Sequence, residues 1–219
     1  GMKNGIEGAL KKEVYDLTEE PDDLVGKLLH TPASALGSCR HKLSKAEEYE
    51  QLLKLFEDNN IRYFVYIGGN DSMDTCDKIS KLAQEKKYDM QVIGVPKTID
   101  NDISFIDMSF GFDTAVEAAR QATRAAHVEA SCARSGIGLV KLMGRDSGFI
   151  ASFATLADTQ VGLCLIPEVP FSIDDVVRIA ERRIERDGSV VIVVAEGAGQ
   201  HLLAEVAECD ASGNRRYAD

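Results

Sequence analysis

The stretch that most constrains the fold is Tyr63-Phe-Val-Tyr-Ile-Gly-Gly-Asn-Asp-Ser72, a β-branched and aromatic run that ends abruptly in two glycines. A short acidic turn and a helical pattern follow, so the stretch predicts a buried strand that feeds a helix. Glycines at such a junction let the backbone approach a ligand closely, and amide N–H groups at a helix N-terminus favour phosphate. This stretch alone leaves two interpretations open, a tight structural turn or an anion site.

A second stretch, Val92-Ile-Gly-Val-Pro-Lys-Thr-Ile-Asp-Asn-Asp102, carries polar side chains just beyond another short apolar strand. They are Lys97, Thr98, Asp100 and Asp102. Ligands of an open α/β sheet bind outside the carboxyl ends of adjacent strands, so we expect both loops to line one crevice. In an extended segment Asp100 and Asp102 would face the same side, one for proton transfer and one for a metal or a hydrogen bond. The alternative is an Asx-rich turn that caps the next element.

Strand and helix patterns alternate along the chain, which predicts the α/β class: a three-layer α/β/α, Rossmann-like arrangement with a parallel sheet covered on both faces. The predicted strands cover residues 63–67, 92–95, 136–142, 161–166 and 189–195. The predicted helices cover residues 45–59, 72–87, 113–134, 148–156 and 172–186. Asp113 is the expected cap of the third helix. Residues 3–30 are polar and weakly patterned, and residues 210–214 predict a turn.

Charge and composition exclude several classes of function. The net charge of −11 argues against a nucleic-acid partner or a membrane surface, since either favours a basic face. No run approaches the roughly 18 apolar residues of a membrane span, and the N-terminus lacks the layout of a signal peptide, so we expect a cytoplasmic protein. The five cysteines include no C-x-x-C pair and favour reduced, mostly buried thiols. An anionic substrate would therefore be held by local basic residues.

Five motifs occur together in an order and approximate spacing that resemble the phosphofructokinases. They are Gly68-Gly-Asn-Asp-Ser72, Pro96-Lys-Thr-Ile-Asp-Asn-Asp102, Phe110-Gly-Phe-Asp-Thr114, Lys141-Leu-Met-Gly-Arg-Asp-Ser-Gly148 and Ala195-Glu-Gly-Ala-Gly199. The resemblance runs from about Gly5 to Asn214, nearly the whole chain. It implies phosphoryl transfer to the 1-hydroxyl of fructose 6-phosphate, with Mg²⁺ as cofactor. Five motifs in register are far more specific than any one of them.

The resemblance also implies roles for individual side chains. Asp100 would be the general base, Thr98 would hydrogen-bond the phosphoryl group, and Arg40 would balance its developing charge. The implied donor-binding residues are Gly68, Gly69, Asn70, Asp71 and Ser72. The implied sugar-phosphate contacts are Thr98, Asp100, Asp102, Met143, Gly144, Arg145 and Glu196. For Glu196 the alternative is a solvated carboxylate in a turn. The implied metal ligands are Asn70 and Asp102, although the family usually has aspartate in place of Asn70.

The phosphate donor is implied by two positions. Relatives that use ATP commonly have glycine where Asp71 stands, and relatives that use pyrophosphate commonly have aspartate there and lysine at Lys97. A carboxylate at Asp71 adds bulk and negative charge where the α-phosphate of a nucleotide would lie, whereas Lys97 supplies a cation for the compact diphosphate. We therefore expect pyrophosphate as the donor, with ATP as the alternative. Where this chain has Gly136, bacterial ATP enzymes often have an arginine that reaches a neighbouring subunit. The resemblance therefore implies no such contact for this chain.

The resemblance finally bears on domain organisation. The chain is expected to be one phosphofructokinase-like α/β region, residues 1–219, that lacks the first Gly-rich strand of the family and most of its C-terminal lobe. A competing interpretation follows from that expectation: a truncated, non-catalytic fragment or an interaction subunit. Unpaired sheet edges invite pairing with another chain, so we also expect a homo-oligomer.

Overall fold

A computed structural model describes residues 1–202, and they fall into two compact units, residues 1–95 and residues from 96 onward. No helix in this described part of the chain is both long and apolar enough to cross a membrane. Each unit pairs its strands into a sheet of its own.

The first unit is built on a two-stranded sheet packed against helices. Its elements are α1 (Gly5–Leu10), α2 (Asp22–Lys27), α3 (Ala46–Asp58), β1 (Tyr63–Gly68), α4 (Asn70–Glu85) and β2 (Gln91–Pro96), with single 3₁₀ turns at Leu17–Glu19 and Leu28–His30. Leu52 and Phe56 of α3, Phe64 of β1 and Ile79 of α4 are buried in one cluster with Ile6 of α1. The Phe56 and Phe64 rings lie 4.9 Å apart. The amphipathic faces of three helices thus bury one side of β1.

The second unit is built on a three-stranded sheet. Its elements are α5 (Phe112–Cys132), β3 (Gly136–Leu142), α6 (Phe149–Ala157), β4 (Val161–Leu165), α7 (Ile173–Asp187) and β5 (Ser189–Ala195), with a 3₁₀ turn at Gln200–Leu202. The strand order is β3-β5-β4, and both neighbours run parallel to β5. The register places Gly136 opposite Ser189 and Leu142 opposite Ala195. The last strand among residues 1–202 is therefore the central one of this sheet.

Helices cover both faces of this sheet. Successive side chains of β5 point to opposite faces, so each face packs against a different helix. Val191 and Val193 pack in a cluster with Ala151 of α6, whereas Val190 and Ile192 pack with Ala180 of α7. The unit thus has the predicted three layers, and its central strand is apolar from Val190 to Ala195, as expected in a parallel sheet.

The element predictions are largely confirmed, with three differences. The N-terminal region, predicted as weakly patterned, contains the six-residue helices α1 and α2. α4 begins at Asn70 and not at Ser72, which places more of the acidic turn inside the helix. The predicted cap at Asp113 is wrong, since the N-cap of α5 is Gly111 with φ 94° and Asp113 lies in the first turn. The turn predicted at residues 210–214 lies outside the described residues.

The cysteine prediction is confirmed in part. The four described cysteines are free thiols; Cys76 is buried, and Cys39 and Cys164 are partly buried. Cys132, at the end of α5, is exposed, so the expectation of burial is wrong for that thiol. Cys209 lies outside the described part of the chain.

Replacing Ser172 by alanine is expected to lower the free energy of unfolding by about 1 kcal/mol and the Tm by about 2–4 °C. Ser172 is the N-cap of α7, and its hydroxyl oxygen accepts a hydrogen bond from the Asp175 amide at 3.1 Å. Thermal unfolding followed by circular dichroism measures the change. Ser131→Ala is the matched control, because Ser131 lies inside α5 and bonds only the Val128 carbonyl. Equal Tm changes in the two variants would contradict a capping role.

Candidate functional site

The glycine pair at the end of β1 forms a strand-to-helix junction, and Gly68 has no room there for a side chain. A Cβ at Gly68 would lie 2.1 Å from the Ser72 hydroxyl oxygen. Gly69 is the N-cap of α4 in an extended conformation, and no side chain caps the helix. The α4 N-terminus carries about half a positive charge from the helix dipole, which favours an anion. The geometry fits the predicted donor loop, and Asn70, Asp71 and Ser72 form the first turn of α4.

Asp71 forms an ion pair that the sequence did not indicate. The Lys42 ammonium nitrogen lies 2.9 Å from Oδ1 of Asp71, and both side chains are nearly half exposed. The hydrogen bond and the charge of Asp71, followed by the charge of Asp74, raise the pKa of Lys42, which keeps it cationic. The two charges offset each other, so the loop presents an ion pair and not a lone carboxylate.

A partly buried tyrosine, Tyr66, contacts the same loop. Burial is the main cause that raises the pKa of Tyr66 to about 12, and a hydrogen bond with the Ser72 side chain opposes the rise. Tyr66 therefore stays protonated at neutral pH. Arg40 lies in the irregular segment before α3, exposed and in the same unit. Its predicted role toward a phosphoryl group stays a prediction.

The Asp100 loop of the second unit differs from the predicted extended segment. Asn101 has φ 55°, in the left-handed region, so Asp100 and Asp102 do not alternate along a strand. The buried Asn101 amide accepts a hydrogen bond from the Ser109 N–H at 2.7 Å and donates to the Asp107 carbonyl at 3.1 Å. The extended prediction is wrong because these bonds close residues 101–109 into a loop, which is closer to the Asx-turn alternative.

The residues before Asp100 fix the position of the loop that carries it. Lys97 is exposed and pairs in a parallel bridge with Phe110. The Thr98 hydroxyl accepts a hydrogen bond from the Asp100 amide at 3.2 Å. Thr98 therefore supports the loop that carries Asp100, in addition to the phosphoryl contact predicted for it.

Asp100 lies among charges of both signs. Its side chain is 14% exposed, and Oδ2 lies 3.9 Å from Nε of Arg145. Burial is the main cause that raises the Asp100 pKa, and the charges of Asp102 and Glu196 add to the rise; Arg145 and a hydrogen bond from Thr98 oppose it. The two carboxylates therefore remain close in space despite the left-handed residue between them. A carboxyl with a raised pKa next to a guanidinium is suited to accept a proton near neutral pH.

A strained turn carries Arg145 to this position. Gly144 has φ 146° and Arg145 has φ 50°, a conformation that costs a non-glycine residue about 1–3 kcal/mol. Oε1 of Glu196 accepts hydrogen bonds from the amides of both residues, at 3.2 and 2.7 Å. A Cβ at Gly197 would lie 2.1 Å from the Arg145 carbonyl oxygen, so the segment that follows β5 packs directly against this turn. The alternative of a solvated turn carboxylate is wrong for Glu196, which holds the turn.

Within the second unit the structure thus brings together Asp100, Asp102, Arg145 and Glu196, while Met143 lies 60% exposed beside the Gly144 turn. Within the first unit it brings together the glycine pair and Asp71. The expectation that both loops line one crevice stays a prediction.

The sequence did not indicate three side chains that contact these loops, which are Lys42, Ser147 and Glu168. Lys42 pairs with Asp71, Ser147 bonds the Asp100 carbonyl, and Glu168 accepts a bond from the Gly148 amide, so each has a partner far away in the sequence. Ser147 falls inside a quoted motif, which is the one signal that pointed to it.

The acidic residues of the second unit fit one mode of magnesium binding. In residues 1–202, no three His, Cys, Asp or Glu side chains are grouped so that they could enclose a metal ion. Mg²⁺ does not require such a cage, because it is commonly held by one or two carboxylates, waters and substrate phosphates. Asp102, close enough to raise the Asp100 pKa, supplies such a carboxylate. Asn70 belongs to the other unit, so its pairing with Asp102 at one metal stays a prediction.

Comparisons with known proteins agree with the motifs. The family model described as Phosphofructokinase matches residues 1–216. The chain is 48% identical to ATP-dependent 6-phosphofructokinase 1 of Arabidopsis thaliana, over 100% of this chain and 46% of that protein. It is 39% identical to pyrophosphate–fructose 6-phosphate 1-phosphotransferase of Halomonas elongata, over 97% of this chain and 54% of that protein.

A solved structure gives the same result for the fold. The pyrophosphate-dependent phosphofructokinase of Marinobacter aquaeolei superposes with a TM-score of 0.80 at 38% identity, covering 90% of this chain and 51% of that one. The chain therefore spans about half the length of the proteins that it matches, and those proteins include users of both donors.

Proposed function

The chain belongs to the phosphofructokinase family, and from that premise we propose that it transfers a phosphoryl group from pyrophosphate to the 1-hydroxyl of fructose 6-phosphate. One observation carries the proposal of catalysis: the largely buried Asp100 carboxylate lies 3.9 Å from the Arg145 guanidinium in a loop that follows a strand. Phosphoryl transfer requires positioning, charge stabilisation and a base beside the attacking hydroxyl, and this pair supplies the base and a cation.

In the proposed mechanism Asp100 accepts the proton of the 1-hydroxyl as the oxygen attacks one phosphorus of pyrophosphate, and the bridging P–O bond breaks so that inorganic phosphate leaves. Burial and the neighbouring carboxylates raise the Asp100 pKa from its ordinary value, which strengthens it as a base, while Arg145 keeps the ionised form available. Met143, Gly144 and Arg145 form the turn proposed to contact the sugar phosphate. Glu196 acts on that turn by holding the Gly144 and Arg145 amides.

The residues proposed to bind the phosphate donor are Lys97 and residues of the first unit. The glycine pair and the α4 N-terminus receive phosphate oxygens, and Arg40 and Thr98 contact the transferring group. Asp102 would hold magnesium through a carboxylate oxygen, with Asn70 as the proposed second protein ligand. Magnesium held there would supply positive charge that offsets the charge developing on the phosphate oxygens.

Pyrophosphate is proposed over ATP because of Asp71. Its carboxylate, paired with Lys42, fills the position where the resemblance gives ATP users a glycine. A nucleotide would have to displace this ion pair, whereas a compact diphosphate would not. ATP is the second candidate, because a 48% identical relative is named as ATP-dependent. A non-catalytic fragment is the third, because the chain spans about half of its relatives.

A coupled assay on the purified 219-residue chain tests the function. We expect formation of fructose 1,6-bisphosphate with pyrophosphate and magnesium, and a lower kcat/KM with ATP. Turnover with ATP alone would replace the proposed donor. Absence of turnover with both donors would favour the non-catalytic fragment. Homo-oligomerisation and a cytoplasmic location remain predictions, for sedimentation and localisation experiments.

Asp71→Gly is expected to shift the ratio of kcat/KM for pyrophosphate to that for ATP by about tenfold toward ATP, because it removes one carboxylate next to the donor phosphates. Steady-state kinetics with each donor measure the ratio. Asp74→Gly is the matched control, since Asp74 lies one turn further along α4 in an exposed pair with Lys78. Asp74→Gly likewise introduces a glycine into α4, so it controls for the loss of helix stability that glycine causes. A ratio unchanged in Asp71→Gly would exclude Asp71 as the discriminator.

A further inference from the structure

The Ser147 hydroxyl joins the two loops of the second unit that carry the proposed base and its cation. Ser147 is 6% exposed. Its Oγ lies 2.8 Å from the Asp100 carbonyl oxygen and 3.0 Å from the Gly144 carbonyl oxygen. A hydroxyl carries one proton, so the two carbonyls share one donor. Asp100 and Gly144 are thereby tied through a single buried atom.

The turn that contains Ser147 is fixed at both ends by acidic side chains. Glu196 holds the start of the turn through the Gly144 and Arg145 amides. Glu168 holds its end, since Oε1 accepts a hydrogen bond from the Gly148 amide at 2.8 Å. A Cβ at Gly148 would lie 2.5 Å from the Ile166 Cβ, so there is no room for a side chain at this end of the turn. Ser147 therefore projects from a turn held at both ends toward the carbonyl oxygen of Asp100.

We propose that Ser147 is a positioning residue that fixes the Asp100 backbone relative to Arg145. The inference rests on the proposed function, because it concerns the residues that carry it. Ser147 contacts no reacting atom and acts only through the main chain of Asp100. Bound reactants must lie within a narrow range of geometry, and a displacement of about 1 Å can cost about 10²-fold in rate.

The test compares two buried serines of the same unit. Ser147→Ala removes the shared donor, and we expect kcat to fall about tenfold, with KM for fructose 6-phosphate and for pyrophosphate unchanged within twofold. Ser109→Ala is the matched control, because Ser109 is 3% exposed and its hydroxyl makes no hydrogen bond within the described structure. Its backbone N–H, which bonds Asn101, is retained. We expect kcat of Ser109→Ala within twofold of the parent chain.

Hydrogen–deuterium exchange supplies a reading that does not depend on turnover. Amides of the loop around Asp100 are expected to exchange faster in Ser147→Ala than in Ser109→Ala, whereas exchange in α7 is unchanged. If the parent chain turns over neither donor, the proposed function fails, and the exchange comparison still decides whether Ser147 orders the loop.

Two results would overturn the inference: an unchanged kcat in folded Ser147→Ala, or equal loss of kcat in both serine variants. Exchange rates around Asp100 that do not respond to Ser147→Ala would overturn it as well. Should Ser147→Ala fail to fold by circular dichroism, Ser147→Cys takes its place. A thiol is a weaker donor, so kcat is expected to fall about threefold, and an unchanged kcat would again contradict the positioning role.

Discussion

Asp100→Asn is expected to lower kcat by about 10³-fold, the largest effect of any single substitution proposed for this chain, because asparagine cannot accept the hydroxyl proton. The side chains are nearly isosteric, so two main-chain bonds of this residue are retained: its N–H donates to the Thr98 hydroxyl, and its carbonyl accepts from the Ser147 hydroxyl. We therefore expect KM for fructose 6-phosphate to change by less than about threefold. Steady-state and single-turnover kinetics with the preferred donor separate the chemical step from binding.

The matched control for this substitution lies in the same loop. Asp107 is exposed, and the loop uses its carbonyl oxygen, which asparagine also has. Asp107→Asn is expected to retain kcat within twofold. A fall in kcat of less than tenfold in Asp100→Asn would remove Asp100 from the role of general base.

Arg145→Met is expected to lower kcat/KM by about 10²-fold and to move the acidic limb of its pH profile to higher pH. The first effect is the loss of the charge-assisted contact that we propose between Arg145 and the sugar phosphate. The second follows from the Asp100 pKa, which burial raises and Arg145 lowers. Removing the cation lets the pKa rise further, so the base stays protonated up to a higher pH.

Measurement of kcat/KM between pH 5 and 9 shows in which direction the acidic limb moves in Arg145→Met. An acidic limb that moves to lower pH, or stays in place, would contradict the electrostatic coupling between Arg145 and Asp100. Arg120→Met is the control, because Arg120 is an exposed residue of α5 paired with Glu117 three residues earlier. It is expected to leave both the magnitude of kcat/KM and the pH profile unchanged.

Periodicity predicted the regular elements well where they are long. Helix α7 and strands β3 and β5 agree with the sequence to within one residue, since each has a complete apolar face or run. Helices α1 and α2 escaped notice because six residues complete too few turns to establish a period. Tertiary contacts of α1 with the α3 cluster, and not its own pattern, stabilise it.

The site was predicted by residue type better than by conformation. The motifs selected Asp100, Arg145 and Glu196, which the structure groups in one unit. They did not reveal the left-handed Asn101, because its conformation depends on bonds to Asp107 and Ser109 that form only when the loop closes. Lys42 and Glu168 were missed for a similar reason. Their partners lie 20 or more residues away, beyond the range of local spacing rules.

The strand order of the second unit has a consequence for synthesis of the chain. β3 and β4 both pair with β5, which is translated after them. On the ribosome these two strands therefore remain unpaired, and side chains that pack in the β5 cluster of the folded unit, such as Val140, Leu142 and Val161, stay uncovered until residue 195 has left the exit tunnel. Nascent chains of intermediate length are the forms in which this polypeptide most needs a chaperone.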